Sequence, residues 1–237
     1  MSRRALARPG ISPPSAPPPR RPPDLAQLVA TLEEEIIIGR LKPRERLVED
    51  VLMARFGAKR HLVRQALTRL ERLGIVRREP NRGASVRDFS AEEVRHIYAM
   101  RELLQGHAAA LIPLPAPAAL ISALRALQAE HAAAAARGDL RTVLRLDAAF
   151  HGTLFDAAGN PHLASSIRDY AGLAHAIRAY RVGDPRMLAQ AVEEHAAMVA
   201  ALERGDRVAI VRLCVEHIRP SMQAYLATLA WVGATAA

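Results

Sequence analysis

Four residues in the second half of the chain have the chemistry and spacing of a metal site. Asp147 and His151 stand four apart in the run Asp147-Ala148-Ala149-Phe150-His151. On a helix such a pair points to one side, a common two-ligand arrangement. His195 lies ten residues before Gly205, and His217 lies eleven after Asp206. With Gly205-Asp206 as a hairpin turn between two helices, a rise of about 1.5 Å per residue puts both about 15–17 Å from the turn, at one level. Three imidazoles and one carboxylate converging inside a bundle would hold a divalent ion of the Zn, Ni or Mn class and leave positions for water or a ligand oxygen. The competing reading makes each an ordinary packed or half-exposed histidine, the reading given to His96, His107, His131, His162 and His175. Cys214, one turn before His217, reads as a small core residue.

A second constellation lies near the front. Lys59, Arg60, His61 and Arg64 open a helical segment, and basic and polar side chains at that end of a helix reach base edges and phosphates when it enters a major groove. Arg60 and Arg64 are four apart, opposite the apolar residues Val63, Ala66, Leu67 and Leu70. Arg82-Gly83 fits the tip of a wing: glycine permits close backbone approach and arginine suits a minor groove. The alternative for Arg64 is a bridge to an acidic neighbour such as Asp50, and Arg69 and Arg72 read as solvated.

Both constellations need a scaffold. A helical pattern starts at Asp24, with Leu25, Leu28, Val29, Leu32 and Ile36 at three- and four-residue spacing, and stops at Gly39. Leu41–Leu47 reads as a turn and a short extended run. Helices follow over Glu49–Phe56 and Lys59–Leu73, the second stopped by Gly74. Ile75–Arg78 and Ala84–Arg87 form two short β runs around the turn residues Pro80-Asn81-Arg82-Gly83. The order predicts a winged helix-turn-helix over 24–88. Ser90-Ala91-Glu92-Glu93 has the capping-box pattern of a new helix at the boundary. Helices are then predicted over 91–112, 118–137, 140–158, 162–180, 185–204 and 207–231. Short loops between long helices make 89–237 an antiparallel all-α bundle. Pro220 should kink the last helix, because it has no N–H to bond the carbonyl of Glu216, and that could re-aim His217.

The fold class is therefore mainly α, with one small β-hairpin. Aromatic residues are only 4% of the chain, so the core must come from Leu, Ala, Val and Ile, which suits helices better than a β-sandwich. Residues 1–23 hold eight of the sixteen prolines and read as a disordered tail. One cysteine excludes an internal disulfide framework and fits a reducing cytosol. Neither a signal-peptide run nor a membrane-length apolar stretch is present, so a cytoplasmic protein with no membrane partner is expected. Residues 1–88 carry 19 Lys and Arg against 10 Asp and Glu, a net of +9, whereas the 14 and 14 of residues 89–237 cancel. A basic module joined to a neutral one points to a polyanion for the first and a different partner for the second.

Leu32 to Val86 resembles the winged helix of the GntR family. The matching pieces are Glu35–Pro43, Glu45–Glu49, Gly57, Arg60, Val63–Glu71 and Pro80–Val86. Lys59, His61, Leu62 and Gln65 depart from the usual residues, which bears on operator preference rather than fold. The remainder resembles the helical FCD ligand-binding domain of the FadR-like subfamily, on Ile97–Glu102, Ala108-Ala109, Gly138-Asp139, Asp147–His151, Gly159–Pro161, Glu194-His195, Gly205-Asp206 and His217. Gln105 stands where that family commonly has Glu. The resemblance implies that Asp147, His151, His195 and His217 are metal ligands, that Arg101 faces the effector or serves as a structural ion-pair partner, and that the effector is a small carboxylate or sugar acid. It implies a homodimeric repressor on a double-stranded DNA operator, not an enzyme. The rival readings are a metal-dependent enzyme, since an open metal site can activate water, and a metal-free interaction module.

Overall fold

The computed structural model describes residues 23–79 and 83–235. The front of the chain runs α1 (Leu25–Ile37), β1 (Arg46–Leu47), α2 (Glu49–Phe56), α3 (Arg60–Arg72), β2 (Val76–Glu79) and β3 (Gly83–Val86). Asp24 caps α1 in a reciprocal box with Gln27. Gly57 closes α2 with φ +61°, a left-handed turn that favours glycine. The expected hairpin of β2 and β3 gains a third strand: β1 pairs antiparallel with β3, in the order β1-β3-β2. Alternation along β3 buries Ala84 and Val86 against α3, which buries Val63, Ala66, Leu67 and Leu70 from the other side. The Pro/Arg-rich segment 1–22 and the wing residues Pro80, Asn81 and Arg82 lie outside the described residues.

Helices make up the rest: α4 (Ala91–Leu111), α5 (Ala118–Ala136), α6 (Leu140–Asp156), α7 (Pro161–Leu173), α8 (His175–Val182), α9 (Pro185–Glu203), α10 (Arg207–Glu216) and α11 (Arg219–Thr235). Side chains at turn positions start most of them: Ser90, Asp139, Asn160, Asp184 and Asp206 each accept backbone N–H bonds from the first turn. Glu93 does not complete the expected box with Ser90; its carboxylate takes Arg87 instead.

Two of the expected helices are split. The stretch predicted as one helix over 162–180 divides at Ala174 into α7 and α8. Gly172, in the last turn of α7, weakens the helix just before this break, and packing fixes its place: Ala174, Ala176 and Ile177 are drawn into the cluster that holds α1 and α3. The stretch predicted over 207–231 divides at His217-Ile218 into α10 and α11. Here Pro220 is the cause: with no N–H for Glu216, the ladder stops and α11 restarts around it.

The buried core does not respect the boundary near residue 88. One cluster joins Leu28, Leu32 and Ile36 of α1, the inner face of α3 and the wing strands to Val94 and Tyr98 of α4, Ile177 of α8 and Tyr225 of α11. Gly74 shows how close the parts come. Its φ is +70°, and an added Cβ would lie 2.3 Å from the Leu173 side chain of α7. Tyr225 ties the same seam with polar bonds, accepting from Phe89 N–H at 3.1 Å and donating to Asp88 at 2.8 Å. A second cluster, built from α4, α5, α6, α7, α9 and α10 around Phe150, Leu154 and Met198, forms the far end of the bundle.

Candidate metal centre and nucleic-acid interface

Asp147 and His151 project from α6, His195 from the middle of α9, and His217 from the elbow between α10 and α11. The four meet. The Nε2 atom of His151 lies 3.2 Å from that of His217 and 3.2 Å from that of His195, and Asp147 Oδ1 is 3.7 Å from both His151 and His195 Nε2. One donor atom from each residue falls within 4.8 Å of all the others. The kink at Pro220 does not turn His217 away: the helix ends on that residue and delivers its ring to the cluster.

The ring environments fix their protonation. His217 Nδ1 donates to Glu194 Oε2 at 2.6 Å, so its Nε2 is a bare lone pair facing the other two rings. Phe150 stacks on His195, ring centroids 4.4 Å apart. Burial, reinforced by the other imidazoles and by Arg181, holds His195 and His217 well below the usual imidazole range, and burial pushes His151 down to about 4. Burial by itself would raise Asp147, but the Arg178 guanidinium outweighs it and holds the carboxyl well below the ordinary range. The cluster is thus three neutral imidazoles and one carboxylate, the forms that bind metal. His151 Nε2 sits in contact with the Nε2 atoms of both other rings, and one N–H at most can satisfy one of them. A divalent cation fits this donor set. Bound there, such an ion would supply Lewis-acid polarisation of an oxygen ligand.

Beside the cluster lies a cavity of about 280 Å³, lined by Arg101, Gln105, Asp147, His175, Arg178 and His217 among others. Arg101 is only 5% exposed and its Nε and Nη1 atoms have no partner, although its guanidinium lies over the Tyr98 ring at 4.7 Å. Burial pushes its pKa down. Among the described residues no carboxylate pairs with Arg101. A buried guanidinium with unpaired nitrogens calls for an anion.

Sequence reasoning missed the residues that hold the ligands. Arg178 pairs with Asp147 Oδ2, and Arg181 with the carbonyl of His217 and with Glu194 at 2.6 Å. His131, read as unremarkable, packs its ring 4.9 Å from that of His195, and His175 lines the cavity with burial pushing it down to about 3. A signal existed for part of this: His175, Arg178 and Arg181 recur every three residues, one face of a helix.

On the front module, Lys59, Arg60, His61 and Arg64 all lie exposed at the start of α3. Arg60 pairs with Asp50 at 2.6 Å and Arg64 with Glu49 at 3.0 Å, both acids standing in the first turn of α2. The bridge considered for Arg64 thus forms with Glu49, and Asp50 takes Arg60. Lys59 caps α3 without a side-chain bond, leaving backbone N–H groups of the first turn open. Gly83 opens β3, exposed, with φ +81°. Among the described residues no helix is long and apolar enough to cross a membrane.

The families and relatives that share this architecture of winged helix and all-helical domain are transcriptional regulators, not enzymes. Residues 25–86 match the family "Bacterial regulatory proteins, gntR family", and residues 96–220 match the FCD domain, in which some members bind metals. The chain belongs to the GntR family and carries an FCD domain. It is 26% identical over 196 residues to the HTH-type transcriptional regulator YdhC of Bacillus subtilis, covering 82% of this chain and 88% of that one. A regulator from the TAR-I region of Agrobacterium vitis is 31% identical over 119 residues, 49% of this chain and 70% of that one. Among solved structures, E. coli McbR/YncC superposes with a TM-score of 0.70 at 22% identity, covering 87% of this chain and 97% of that one. A GntR regulator from Rhodococcus sp. RHA1 gives 0.71 at 22%, covering 86% and 97%. These two likenesses concern the fold.

Proposed function

We propose that this regulator is a cytoplasmic homodimeric repressor whose grip on a double-stranded DNA operator is set by a small carboxylate or sugar acid bound together with a divalent metal ion of the Zn, Ni or Mn class. Residues 24–88 act as the DNA-binding module and 89–237 as the sensor. Lys59, Arg60, His61, Arg64, Arg82 and Gly83 meet the DNA, Asp147, His151, His195 and His217 hold the ion, and Arg101 takes the carboxylate. The observation that carries the reading is a buried Asp/His3 cluster sharing one cavity with a buried guanidinium that meets no carboxylate and has two unsatisfied nitrogens. The cavity's size favours a small acid over a long acyl chain. Met100, Leu103 and Leu111, exposed along one face of α4, support a second copy covering that face.

The test is a melting-temperature screen of small carboxylates and sugar acids with and without divalent ions. An effector that binds only the native state raises the midpoint by mass action. Stabilisation by an acid only when metal is present, lost in Arg101→Met, is the expected result. An acid that stabilises the wild type and Arg101→Met alike, with or without metal, contradicts it.

A further inference from the structure

The cavity and the DNA-binding head share one short helix. α8 packs against α1 of the head and also against α7, α9 and α11. One side of it, Ala176 and Ile177 with the preceding Ala174, is buried in the same cluster as Leu28, Leu32 and Ile36 of α1. From the adjoining face two arginines three residues apart reach into the sensing site, and each ends on a ligand residue. Arg178 holds Asp147 by Oδ2, leaving Oδ1 turned to the imidazoles. Arg181 holds the carbonyl of His217 and the Glu194 carboxylate that fixes the His217 ring.

From this juxtaposition we infer that α8 is the element that reports occupancy of the site to the head, with Arg178 and Arg181 as positioning residues that couple ligands to helix. The inference rests on the metal-site reading above and adds the route. A cation drawing Asp147 and His217 toward a common centre would draw on both guanidinium anchors at once. Those anchors leave α8 little freedom to respond except as a body, and α1 is packed directly against that body. Buried, charge-assisted bonds suit this task because they are short, directional and costly to leave unmade. The Arg178 and Arg181 heads are 17% and 8% exposed, so bulk water cannot readily substitute for them.

Hydrogen exchange on the full-length protein, with Zn2+ alone as the probe, tests this. In the wild type, one equivalent of Zn2+ is expected to slow exchange in α8 and in α1 together, by about fivefold or more in each, the low end of a typical coupling between sites. In the double variant Arg178→Gln/Arg181→Gln, calorimetry is expected to show weaker Zn2+ uptake, as for lost outer-shell partners, and at saturating Zn2+ protection is expected to be confined to α6, α9 and α10. The wild-type arm needs no substitution, so loss of folding in the variant does not blunt the test: α8 protected without α1 overturns the inference. So does α1 protection that survives in the double variant, or that disappears instead in Tyr225→Phe, which would route the signal through the α11 seam. Failure of the wild type to take up any of Zn2+, Ni2+ and Mn2+ overturns the site reading itself, and is told apart by the calorimetry.

Discussion

The two charged regions of this regulator are built on opposite principles. On the face formed by α2 and α3, Arg60 and Arg64 are half-exposed and rest on Asp50 and Glu49. Surface pairs of this kind contribute about 0–1 kcal/mol, so phosphates can replace the carboxylates at little cost. In the sensing chamber nearly every charge is buried and assigned: Arg178 to Asp147, Arg181 to Glu194 and the His217 carbonyl, Glu194 to His217. There an unpaired charge is expensive, and Arg101, with Nε and Nη1 unsatisfied and only the Tyr98 ring beside it, has room for an anion. Exchangeable partners suit a surface that must release one polyanion for another. Fixed partners suit a chamber that must distinguish small ligands.

Four measurements can break or sharpen this contrast. The largest effect is expected at the chamber: His195→Ala and Asp147→Ala each lower metal affinity by at least ~100-fold, since a removed ligand costs more than the 10- to 100-fold of an outer-shell partner. Calorimetry showing undiminished affinity would remove the chamber from the account. Next comes acid sensitivity. His151 falls from its ordinary 6.5 to about 4 in the fold, so the unfolded chain binds the extra proton first. Stability of the metal-free protein is therefore full above about pH 6.5 and declines as pH falls toward 4, by on the order of 3 kcal/mol from this residue. Denaturant unfolding at pH 7.5 and pH 5 reads the decline, and a flat profile contradicts the buried neutral state.

On the head, Arg60→Ala or Arg64→Ala should weaken operator binding by about 1–3 kcal/mol if the side chain reads a base. A phosphate contact would instead reduce the salt slope by about one. Titrations at several salt concentrations separate the two, and an unchanged affinity sinks the reading-face assignment. The smallest effect belongs to Asp50→Ala. Removing a competing surface carboxylate should tighten DNA binding by no more than about fivefold, most visibly at low salt. Weaker binding would show that the acid organises the face rather than competing for it.

Much of the scaffold is legible in the sequence because local signals agree there. The helix starts at Asp139, Asn160, Asp184 and Asp206 are marked by short polar side chains that cap backbone N–H groups, and the Pro220 break follows from a missing donor. The metal cluster is legible because i,i+4 spacing and equal distances from a turn fix height in a hairpin, and the family resemblance adds to that. The break at Ala174 carries a weaker mark, Gly172 two residues before it, and tertiary packing against the head fixes where the chain restarts. The same applies to Arg178 and Arg181. Their threefold spacing shows a shared face, but which carboxylates they meet depends on how α8 lies across α6 and α9. The β1 strand was half visible as an extended run at Leu47, with its pairing to Ser85 and Ala84 hidden by sequence distance.

The central claim, that the chamber governs the head, has one direct measurement: operator affinity of the wild-type protein, chelated and then metal-loaded, titrated with an acid that stabilises it thermally. The account predicts that the acid shifts operator affinity about fivefold or more in the metal-loaded protein, with no comparable shift after chelation or in His195→Ala. An affinity that stays constant while metal and acid are both bound would contradict it.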